Sequence, residues 1–424
     1  MPDDLPHVVI IGGGFGGLAA AQALKRAPVA ITLIDRRNHH VFQPLLYQVA
    51  TAGLSPGDIA APIRWILRHQ RNVRVLLAEA TSIDLAGRLV HLDEGHLRYD
   101  YLIVATGATH AYFGHPEWEA HAPGLKTLDD ALEIRRRMLL AYERAERESD
   151  PDEQRRLLTF VVVGGGPTGV EMAGAMAEIA RQTLAHEFRS ISTAQARVIL
   201  VEAGPTILQT FPEDLRDEAR RSLARLAVEI REGTPVTHID DRGVQIGAER
   251  VPAGTVMWAA GVAASPLARS LGVPLDRAGR VPVTPELTLP SHPEVFVIGD
   301  LATLAGADGR PLPGVAPVAQ QQAAHAARNI RRLIERQPVR PFRYRNYGNL
   351  ATIGRASAIA DFGRIHLSGY LGWLVWLFIH IMKLVGFRNR VLVLIQWAAA
   401  YFTYQRSVRL ITGPPESSTP QQTS

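Results

Sequence analysis

The hydrophobic pattern of the first forty residues predicts a strand, a helix and a second strand. Residues 8–11 are a short β-branched run, residues 12–17 are rich in glycine, and residues 18–25 favour a helix. The apolar run at 30–35 then predicts a second strand. This order of elements is the βαβ unit of a dinucleotide-binding fold.

The same order of elements returns in the middle of the chain. Residues 159–163 predict a strand, residues 164–169 a second glycine-rich turn, residues 170–180 a helix, and residues 196–202 another strand. The pattern therefore predicts an α/β protein with two Rossmann-like dinucleotide-binding domains.

Three further apolar runs predict strands that stop at small residues. They cover residues 101–105 before Thr106-Gly107, residues 255–259 before Ala260-Gly261, and residues 294–298 before Gly299-Asp300. The first two of these strands close the two dinucleotide folds. A helix is predicted over residues 320–335, and the pattern changes after Pro341.

Two apolar segments near the C-terminus predict a surface that meets a membrane. Residues 365–382 and 391–405 contain no Asp, Glu, Lys or Arg. The first falls slightly short of the ~20 apolar residues that span a bilayer, and His366 and His380 interrupt it. We therefore expect monotopic, amphipathic insertion rather than a transmembrane hairpin, and a subunit interface is a further interpretation. The two histidines are expected to be structural, because no clustered ligands suggest a metal site.

The aromatic and basic residues of this region favour an anionic lipid surface. Between Phe362 and Pro415 there are six basic residues and no acidic one, in a chain whose net charge is +5. Lys383, Arg388 and Arg390 would meet lipid head groups. The aromatic residues expected at the interface are Tyr370, Trp373, Trp376, Trp397, Tyr401 and Phe402. Nucleic acid is the weaker interpretation, because basic contacts to phosphate normally come from polar surfaces.

The absence of cysteine excludes several chemistries at once. Disulfides, thiolate metal sites and electron relay through a redox-active thiol pair all require cysteine. The first seven residues carry two aspartates and lead directly into the first predicted strand, which is not the layout of a signal peptide. We therefore expect the catalytic body on the cytoplasmic side of the cell membrane.

The first glycine motif has the spacing that binds a pyrophosphate. Gly12, Gly14 and Gly17 provide a tight turn, a bare backbone and close helix packing, with Phe15 between them. Asp35 ends the second strand, where a carboxylate binds ribose hydroxyls. A glycine-rich turn without a ligand is the alternative, and the complete strand–turn–helix context argues against it.

The second glycine motif repeats this spacing and ends its second strand with Glu202. An acid at that position repels a 2′-phosphate, so the motif favours NADH over NADPH. Two nucleotide sites in one chain suit a permanent flavin and a visiting nicotinamide, since hydride transfer requires their rings in contact. The residues assigned to NADH are Gly164, Gly166, Thr168, Gly169, Glu202 and Gly261.

Separate stretches along the chain resemble the type II NADH:quinone oxidoreductases, single-subunit flavoenzymes of the two-dinucleotide-fold superfamily. The stretches are residues 11–17, 42–50, 163–171, 297–300, 316–322 and 351–355. The glycine motifs recur across the superfamily, whereas 42–50, 316–322 and the aromatic C-terminal segment are more specific. The resemblance implies that the first fold binds FAD non-covalently and the second binds NADH. It also implies a membrane-bound homodimer that passes two electrons to a quinone without pumping protons.

The resemblance also assigns roles to individual residues. Glu171 corresponds to a family glutamate near the flavin that handles hydride and protons, and the alternative is an acid stabilised only by the helix dipole. Gln321 and Gln322 match the end of a quinone-side motif in which Pro317 replaces a glutamine, and the alternative is a polar surface helix. The residues assigned to FAD are Gly12, Gly14, Phe15, Gly17, Asp35, Thr106, Gly107, Gly299 and Asp300.

A quinone needs an apolar slot and one or two hydrogen-bond partners for its carbonyl oxygens. Leu46, Gln321 and Gln322 are the candidates. The predicted parts of the chain are an FAD-binding domain at 1–115 and 271–340, an NADH-binding domain at 116–270, a C-terminal membrane-associating and dimerisation region at 341–412, and a disordered tail at 413–424.

Two other functions remain open from the sequence. One is an NADH-dependent flavin reductase for a protein acceptor, and the other is a redox-responsive flavoprotein that binds a partner. Sulfide:quinone reductases and disulfide reductases are excluded, because their redox cysteines are missing. Ubiquinone and menaquinone both fit the prediction, and so does either order of substrate binding.

Overall fold

The computed structural model describes residues 5–403 and 408–412, which form two compact units. Unit 1 holds the described residues up to Phe42 together with 60–111 and 261–348. Unit 2 holds 43–59, 112–260 and the described residues from Asn349 onward. Of the C-terminal region predicted at 341–412, residues 341–348 belong to unit 1, and the described residues from Asn349 onward belong to unit 2. The predicted tail at 413–424 lies outside the described residues, as do residues 404 and 405 of the second apolar segment.

The three helices predicted at 18–25, 170–180 and 320–335 are present with shifted ends, as α1, α7 and α9, among eleven α-helices of the described residues. The eleven helices are α1 Phe15–Ala23, α2 Leu46–Ala50, α3 Pro56–Ile59, α4 Ile63–Leu67, α5 Leu128–Arg147, α6 Pro151–Leu157, α7 Pro167–Glu178, α8 Glu213–Arg225, α9 Ala316–Ile334, α10 Gly369–Lys383 and α11 Phe387–Thr403. Helix α9 begins four residues before its predicted start. Its second residue is Pro317, and proline is well tolerated in the first helical turn, where its missing N–H would have no partner.

Every strand predicted from the sequence is present, and its observed ends lie within two residues of the predicted ones. The strands of the structure are β1 His7–Ile11, β2 Ala30–Asp35, β3 His39–Val41, β4 Ala60–Pro62, β5 Val73–Leu77, β6 Ala80–Asp84, β7 Leu89–Leu92, β8 His96–Arg98, β9 Tyr101–Val104, β10 Ala108–His110, β11 Thr159–Val163, β12 Arg197–Val201, β13 Val228–Arg231, β14 Val236–Asp240, β15 Gly243–Ile246, β16 Glu249–Pro252, β17 Thr255–Trp258, β18 Val262–Ala264, β19 Val281–Pro282, β20 Thr288–Leu289, β21 His292–Val297, β22 Ala302–Thr303, β23 Asn349–Thr352, β24 Ala358–Asp361 and β25 His366–Ser368.

Unit 1 is built around a six-stranded sheet in the order β20-β21-β9-β1-β2-β5. All neighbouring strands are parallel except β20 and β21. Successive residues of β1 alternate between two apolar clusters, with Val8 and Ile10 in one and Val9 and Ile11 in the other. Both faces of the sheet are therefore covered, as expected for a parallel sheet. Helices α1 and α9 pack against each other on one face of this sheet.

Unit 2 contains a parallel sheet in the order β13-β12-β11-β17. Strand β11 is buried along its whole length, and α7 follows it directly. The C-terminal strands β23, β24 and β25 form an antiparallel sheet, and α10 packs on β24. Gly372 of α10 permits this close packing, because a Cβ at that position would lie 2.4 Å from the carbonyl oxygen of Ala358.

Candidate functional site

The first glycine turn presents a bare backbone to a ligand. Gly12 has φ +98°, and a side chain there would meet the carbonyl oxygen of Ala105 at 2.4 Å. A Cβ on Gly17 would lie 1.7 Å from the carbonyl oxygen of Gly12, so α1 packs directly on the turn. A Cβ on Gly14 would instead meet nothing within 4 Å. The open side of the turn thus lies at the N-terminus of a nine-residue helix, where an anion is stabilised.

Asp35 closes this turn from the end of β2. Its Oδ2 accepts a hydrogen bond from the Gly13 N–H at 2.6 Å, and its Oδ1 accepts one from the Arg37 N–H at 2.7 Å. Phe15 lies at the start of α1 with its ring edge-on to His40 and Phe42. The carboxylate is therefore fixed by two backbone donors at the position expected for binding ribose hydroxyls.

The ends of two neighbouring strands complete this edge of unit 1. Thr106 follows β9, and its hydroxyl oxygen is buried without a hydrogen-bond partner among the described residues. Gly107 and Gly299 both have positive φ, and Asp300 lies against Gly314. A buried, unsatisfied hydroxyl costs about 1–3 kcal/mol unless a ligand satisfies it. Together with the open glycine turn and Asp35, these residues fit FAD.

The two glutamines of α9 have partners in the protein backbone. Gln321 donates to the Arg345 carbonyl oxygen at 2.9 Å and accepts from the Arg345 N–H at 3.0 Å. Gln322 is 2% exposed, and its Oε1 accepts from the Gly299 N–H at 2.7 Å. Gln322 thus holds the Gly299 turn, a role that the sequence did not reveal. Their contact with quinone stays a prediction.

The second glycine turn has the same construction as the first. Gly164 has φ +113°, and its Cβ would meet the backbone of Ala259 and Ala260. A Cβ on Gly169 would lie 1.8 Å from the Gly164 carbonyl oxygen, whereas one on Gly166 would face open space. Thr168 is exposed in the first turn of α7.

Glu202 closes the second turn as Asp35 closes the first. Its Oε2 accepts from the Gly165 N–H at 2.6 Å, and its Oε1 accepts from the Gly204 N–H at 2.7 Å. The turn therefore fits a dinucleotide whose ribose meets a carboxylate. Gly261, assigned to the same cofactor, is the first residue of a unit 1 segment and has φ +83°.

Glu171 is a partly buried acid in the second turn of α7. Its Oε1 accepts a hydrogen bond from the Thr352 N–H at 3.4 Å. Burial raises the pKa of the Glu171 carboxyl to about 8, against a small lowering by this N–H. The first turn of α7 contains no acidic residue, and a helix dipole would lower the pKa of an acid near its N-terminus. The upward direction of this shift favours a protonated carboxyl over a dipole-stabilised anion, and the role of Glu171 in proton transfer stays a prediction.

A pocket in unit 2 opens beside the same helix. It encloses ≈ 810 Å³, its open mouth included. Its walls come from α2, α7, the turn after β23, α10 and α11, and the residues that line it include Tyr47, Gln48, Ala175, Glu178, Thr352, Arg355, Trp373, Trp376, Trp397 and Tyr401. Leu46, the predicted quinone contact, is 2% exposed and is not in the wall. The next two residues in the sequence, Tyr47 and Gln48, do line the pocket.

Aromatic rings form one side of this pocket and are held in place by polar contacts. Trp397 donates its indole N–H to Gln48 Oε1 at 2.7 Å, and Gln48 in turn donates to the Tyr47 hydroxyl at 2.9 Å. The Arg355 guanidinium donates to the Tyr401 carbonyl oxygen and stacks on its ring at 4.7 Å. The pocket therefore combines flat apolar walls with a small number of polar groups, as ligand sites do.

Several of the aromatic residues predicted for the lipid interface line this pocket instead. Trp376 is 2% exposed, and Trp373, Trp397 and Tyr401 line the pocket, whereas Tyr370 is exposed. The side chain of Phe402 lies outside the described residues. The exposed apolar side chains of α10 and α11 are Leu371, Leu374, Phe378, Met382, Val391, Leu394 and Ile395. None of the described helices is both long and apolar enough to cross a membrane.

The two C-terminal histidines have protein partners. His366 lies 2.9 Å from Asp214, which raises the pKa of its imidazole. His380 bonds to the Trp376 carbonyl oxygen at 2.7 Å and stacks on the Trp376 ring, and burial lowers its pKa to about 4. No group of three or more metal-ligating side chains occurs among residues 5–403 and 408–412.

Comparison with known proteins identifies related sequences over the whole chain. Residues 6–323 match the pyridine nucleotide-disulphide oxidoreductase family, and residues 347–406 match the NDH2 C-terminal domain. Two type II NADH:quinone oxidoreductases of Mycobacterium tuberculosis, Ndh and NdhA, are 47% and 48% identical to this chain. Each alignment covers 96% of this chain, and 90% and 89% of the respective relative.

Solved structures share the fold at lower identity. NDH2 from Plasmodium falciparum in complex with NADH has a TM-score of 0.88 and 20% identity, covering 96% of this chain and all of that one. The sulfide:quinone oxidoreductase of Aquifex aeolicus has a TM-score of 0.74 and 21% identity, covering 91% of this chain and 92% of that one. On 47–48% sequence identity over 96% of its length, the chain belongs to the type II NADH:quinone oxidoreductase family.

Proposed function

We infer that this chain transfers two electrons from NADH through bound FAD to a quinone without pumping protons. The observation that carries this proposal is the presence of two complete glycine turns, each closed by a carboxylate, in a chain without cysteine. A nicotinamide and a flavin supply the hydride chemistry when bound. Since no thiol pair is available to receive the electrons, the acceptor is an external molecule.

Glu171 is proposed to exchange the proton that accompanies reduction. Burial raises the pKa of its carboxyl to about 8, which favours the protonated form at pH 7. A general acid works best when its pKa lies near the working pH, since it then both holds and releases a proton readily. The Thr352 N–H orients the carboxyl and partly compensates its charge after the proton leaves.

The aromatic pocket of unit 2 is proposed as the path of the quinone. A quinone ring is flat and apolar and has two carbonyl oxygens, which matches walls of Trp373, Trp376 and Trp397 interrupted by Gln48. The indole N–H of Trp376 is buried without a hydrogen-bond partner among the described residues, so it is available to a carbonyl oxygen. Leu46, Gln321 and Gln322 remain the quinone contacts predicted from the sequence.

The exposed apolar residues of α10 and α11 are proposed to enter the lipid interface. Leu371 and Phe378 are each 64% exposed, and Lys383 and Arg388 are exposed nearby. A helix of this kind inserts its apolar side chains between head groups while its basic residues meet phosphate. We further propose a monotopic homodimer whose catalytic body lies on the cytoplasmic side.

Anaerobic stopped-flow absorbance tests the proposed activity. NADH should bleach the flavin rapidly, and a short-chain quinone should restore its absorbance rapidly. Fast reduction followed by slow recovery with quinone would instead favour a protein acceptor or a redox-responsive binding protein. Faster bleaching by NADPH than by NADH would contradict the role of Glu202.

A further inference from the structure

Unit 1 carries a strongly basic surface, which adjoins the glycine turn where Ile63 of α4 lies against Gly13. Its cationic side chains come from the end of α1, from α4 and the loop that follows, and from the end of α9. We call these residues the basic surface: Lys25, Arg26, Arg64, Arg68, Arg71, Arg328, Arg331 and Arg332.

Hydrogen bonds bring the three segments together. Gln70 donates to the Ala21 carbonyl oxygen at 2.7 Å, and Asn72 donates to the Leu24 carbonyl oxygen at 3.1 Å. Arg331 donates to the Ala23 carbonyl oxygen at 3.4 Å. Leu24, Leu67 and Ile330 belong to one apolar cluster, so the cations surround a shared core.

Acidic residues are scarce around this surface, and the nearest in sequence is Glu335, which directly follows α9. Residues 5–34, 60–78 and 316–334 contain no Asp or Glu. None of the eight cations forms an ion pair within the described parts of the chain. Arginines elsewhere do pair, as Arg136 does with Glu133 and Arg220 with Asp217. The charge is therefore concentrated here rather than spread evenly over the molecule.

An exposed tryptophan lies within the basic surface. Trp65 is 45% exposed, and the Arg68 guanidinium stacks on its ring at 4.3 Å. Tryptophan is enriched at the level of lipid head groups, where its ring is apolar and its N–H is wet. Arginine is suited to phosphate, because its planar guanidinium donates two parallel hydrogen bonds.

We propose that the basic surface binds anionic phospholipid head groups, as a membrane contact separate from α10 and α11. The choice of lipid over nucleic acid rests on the proposed function, since a quinone acceptor dissolves in the bilayer and the enzyme must work there. Basic residues near an anionic leaflet each strengthen binding by about fivefold, which corresponds to ~1 kcal/mol. Binding through this surface should also weaken as salt screens the charges.

Vesicle sedimentation with matched charge variants tests the proposal. Arg64→Gln/Arg68→Gln removes two charges from the basic surface, and Arg277→Gln/Arg310→Gln removes two exposed charges elsewhere in unit 1. The first variant should bind phosphatidylglycerol-containing vesicles roughly 25-fold more weakly than wild type, and phosphatidylcholine vesicles equally well. The second variant should bind both as wild type does. Equal losses in the two variants would overturn the proposal by indicating a general effect of net charge.

A local probe makes the test independent of overall affinity. Because the chain lacks cysteine, Trp65→Cys and Arg277→Cys can each carry one polarity-sensitive fluorophore. Emission from position 65 should shift to the blue on phosphatidylglycerol vesicles, and emission from position 277 should not. An unshifted probe at position 65 would overturn the proposal, even if the surface bound nucleic acid or an acidic protein. Quinone reduction is measured separately, so failure here leaves the proposed electron transfer untouched.

Discussion

At the scale of single residues, Glu171 is the side chain whose chemistry depends most on its surroundings. In water its carboxyl would be ionised at pH 7, and only burial within unit 2 keeps its proton in place. Glutamine has the same shape but holds no exchangeable acidic proton. Comparing the two residues therefore separates the acid–base role from packing.

Replacing Glu171 by Gln should lower quinone turnover at pH 7 by tenfold or more, because a positioned acid or base typically contributes that much or more. Turnover of the wild type should change as the pH passes through about 8, and that step should be missing from the variant. Steady-state pH profiles measure both effects. Glu229→Gln, which removes an exposed acid paired with Arg197, is the control. A variant that keeps the step would show that another group titrates.

The same substitution should change stability in a pH-dependent way. The folded protein retains a proton on Glu171 up to about pH 8, whereas the unfolded chain releases it near the ordinary value of 4.5. Wild-type stability should therefore fall relative to Glu171→Gln as the pH rises from 5 to 8, by at most about 5 kcal/mol. Thermal melts across this range measure the difference. A constant difference would mean that the carboxyl is not held neutral.

Glu202 should set the preference between the two nicotinamide cofactors. Its carboxylate is fixed by the Gly165 and Gly204 N–H groups, and a 2′-phosphate placed beside it would be repelled. Glu202→Ser should shift the ratio of kcat/KM for NADH over NADPH by about tenfold toward NADPH. Glu232→Gln removes a nearby acid that pairs with Arg220, and it should leave the ratio unchanged. If Glu202→Ser left the ratio of kcat/KM for NADH over NADPH unchanged, Glu202 would not be the residue that selects between the two cofactors.

At the scale of elements, the two glycine turns show which features a sequence can predict. Gly17 and Gly169 must be glycine because each helix packs on the backbone of its own turn, and this constraint is local. The C-terminal helices could not be predicted in the same way. Their aromatic residues are spaced for either a lipid-facing or a pocket-facing side, and the choice depends on Gln48, which lies 349 residues before its partner Trp397.

Two alanine substitutions in the first turn should have different consequences. Gly17→Ala places a methyl group 1.7 Å from the Gly12 carbonyl oxygen, so it should disrupt the packing of α1 and lower the stability of the FAD-free protein. Gly14→Ala meets no protein atom, so it should leave that stability unchanged and lower FAD affinity. Thermal melts of the FAD-free protein and flavin titrations distinguish the two. Full FAD affinity in Gly14→Ala would show that the cofactor does not approach this face.

At the scale of the whole molecule, the exposed apolar residues of the C-terminus should govern membrane attachment. Leu371→Gln/Phe378→Gln should weaken binding to uncharged phosphatidylcholine vesicles, because the variant no longer transfers two large apolar side chains from water into the lipid. Reduction of a water-soluble short-chain quinone should be unaffected. Leu77→Gln, at a residue that is 61% exposed in unit 1, is the control. Vesicle flotation measures the effect, and unchanged binding of the double variant would place the lipid contact elsewhere.

The five crossings of the chain between its units have a consequence for how the protein is made. Strand β9 ends at Val104, but its sheet neighbour β21 begins only at His292. At a synthesis rate of roughly 5–20 residues per second, about 10–40 s pass between the synthesis of β9 and that of β21, and this edge of β9 is unpaired during that time. Unit 2 up to residue 260 emerges from the ribosome within that interval. An unpaired apolar edge invites association with other chains, so unit 1 is the part that a chaperone would need to protect during translation.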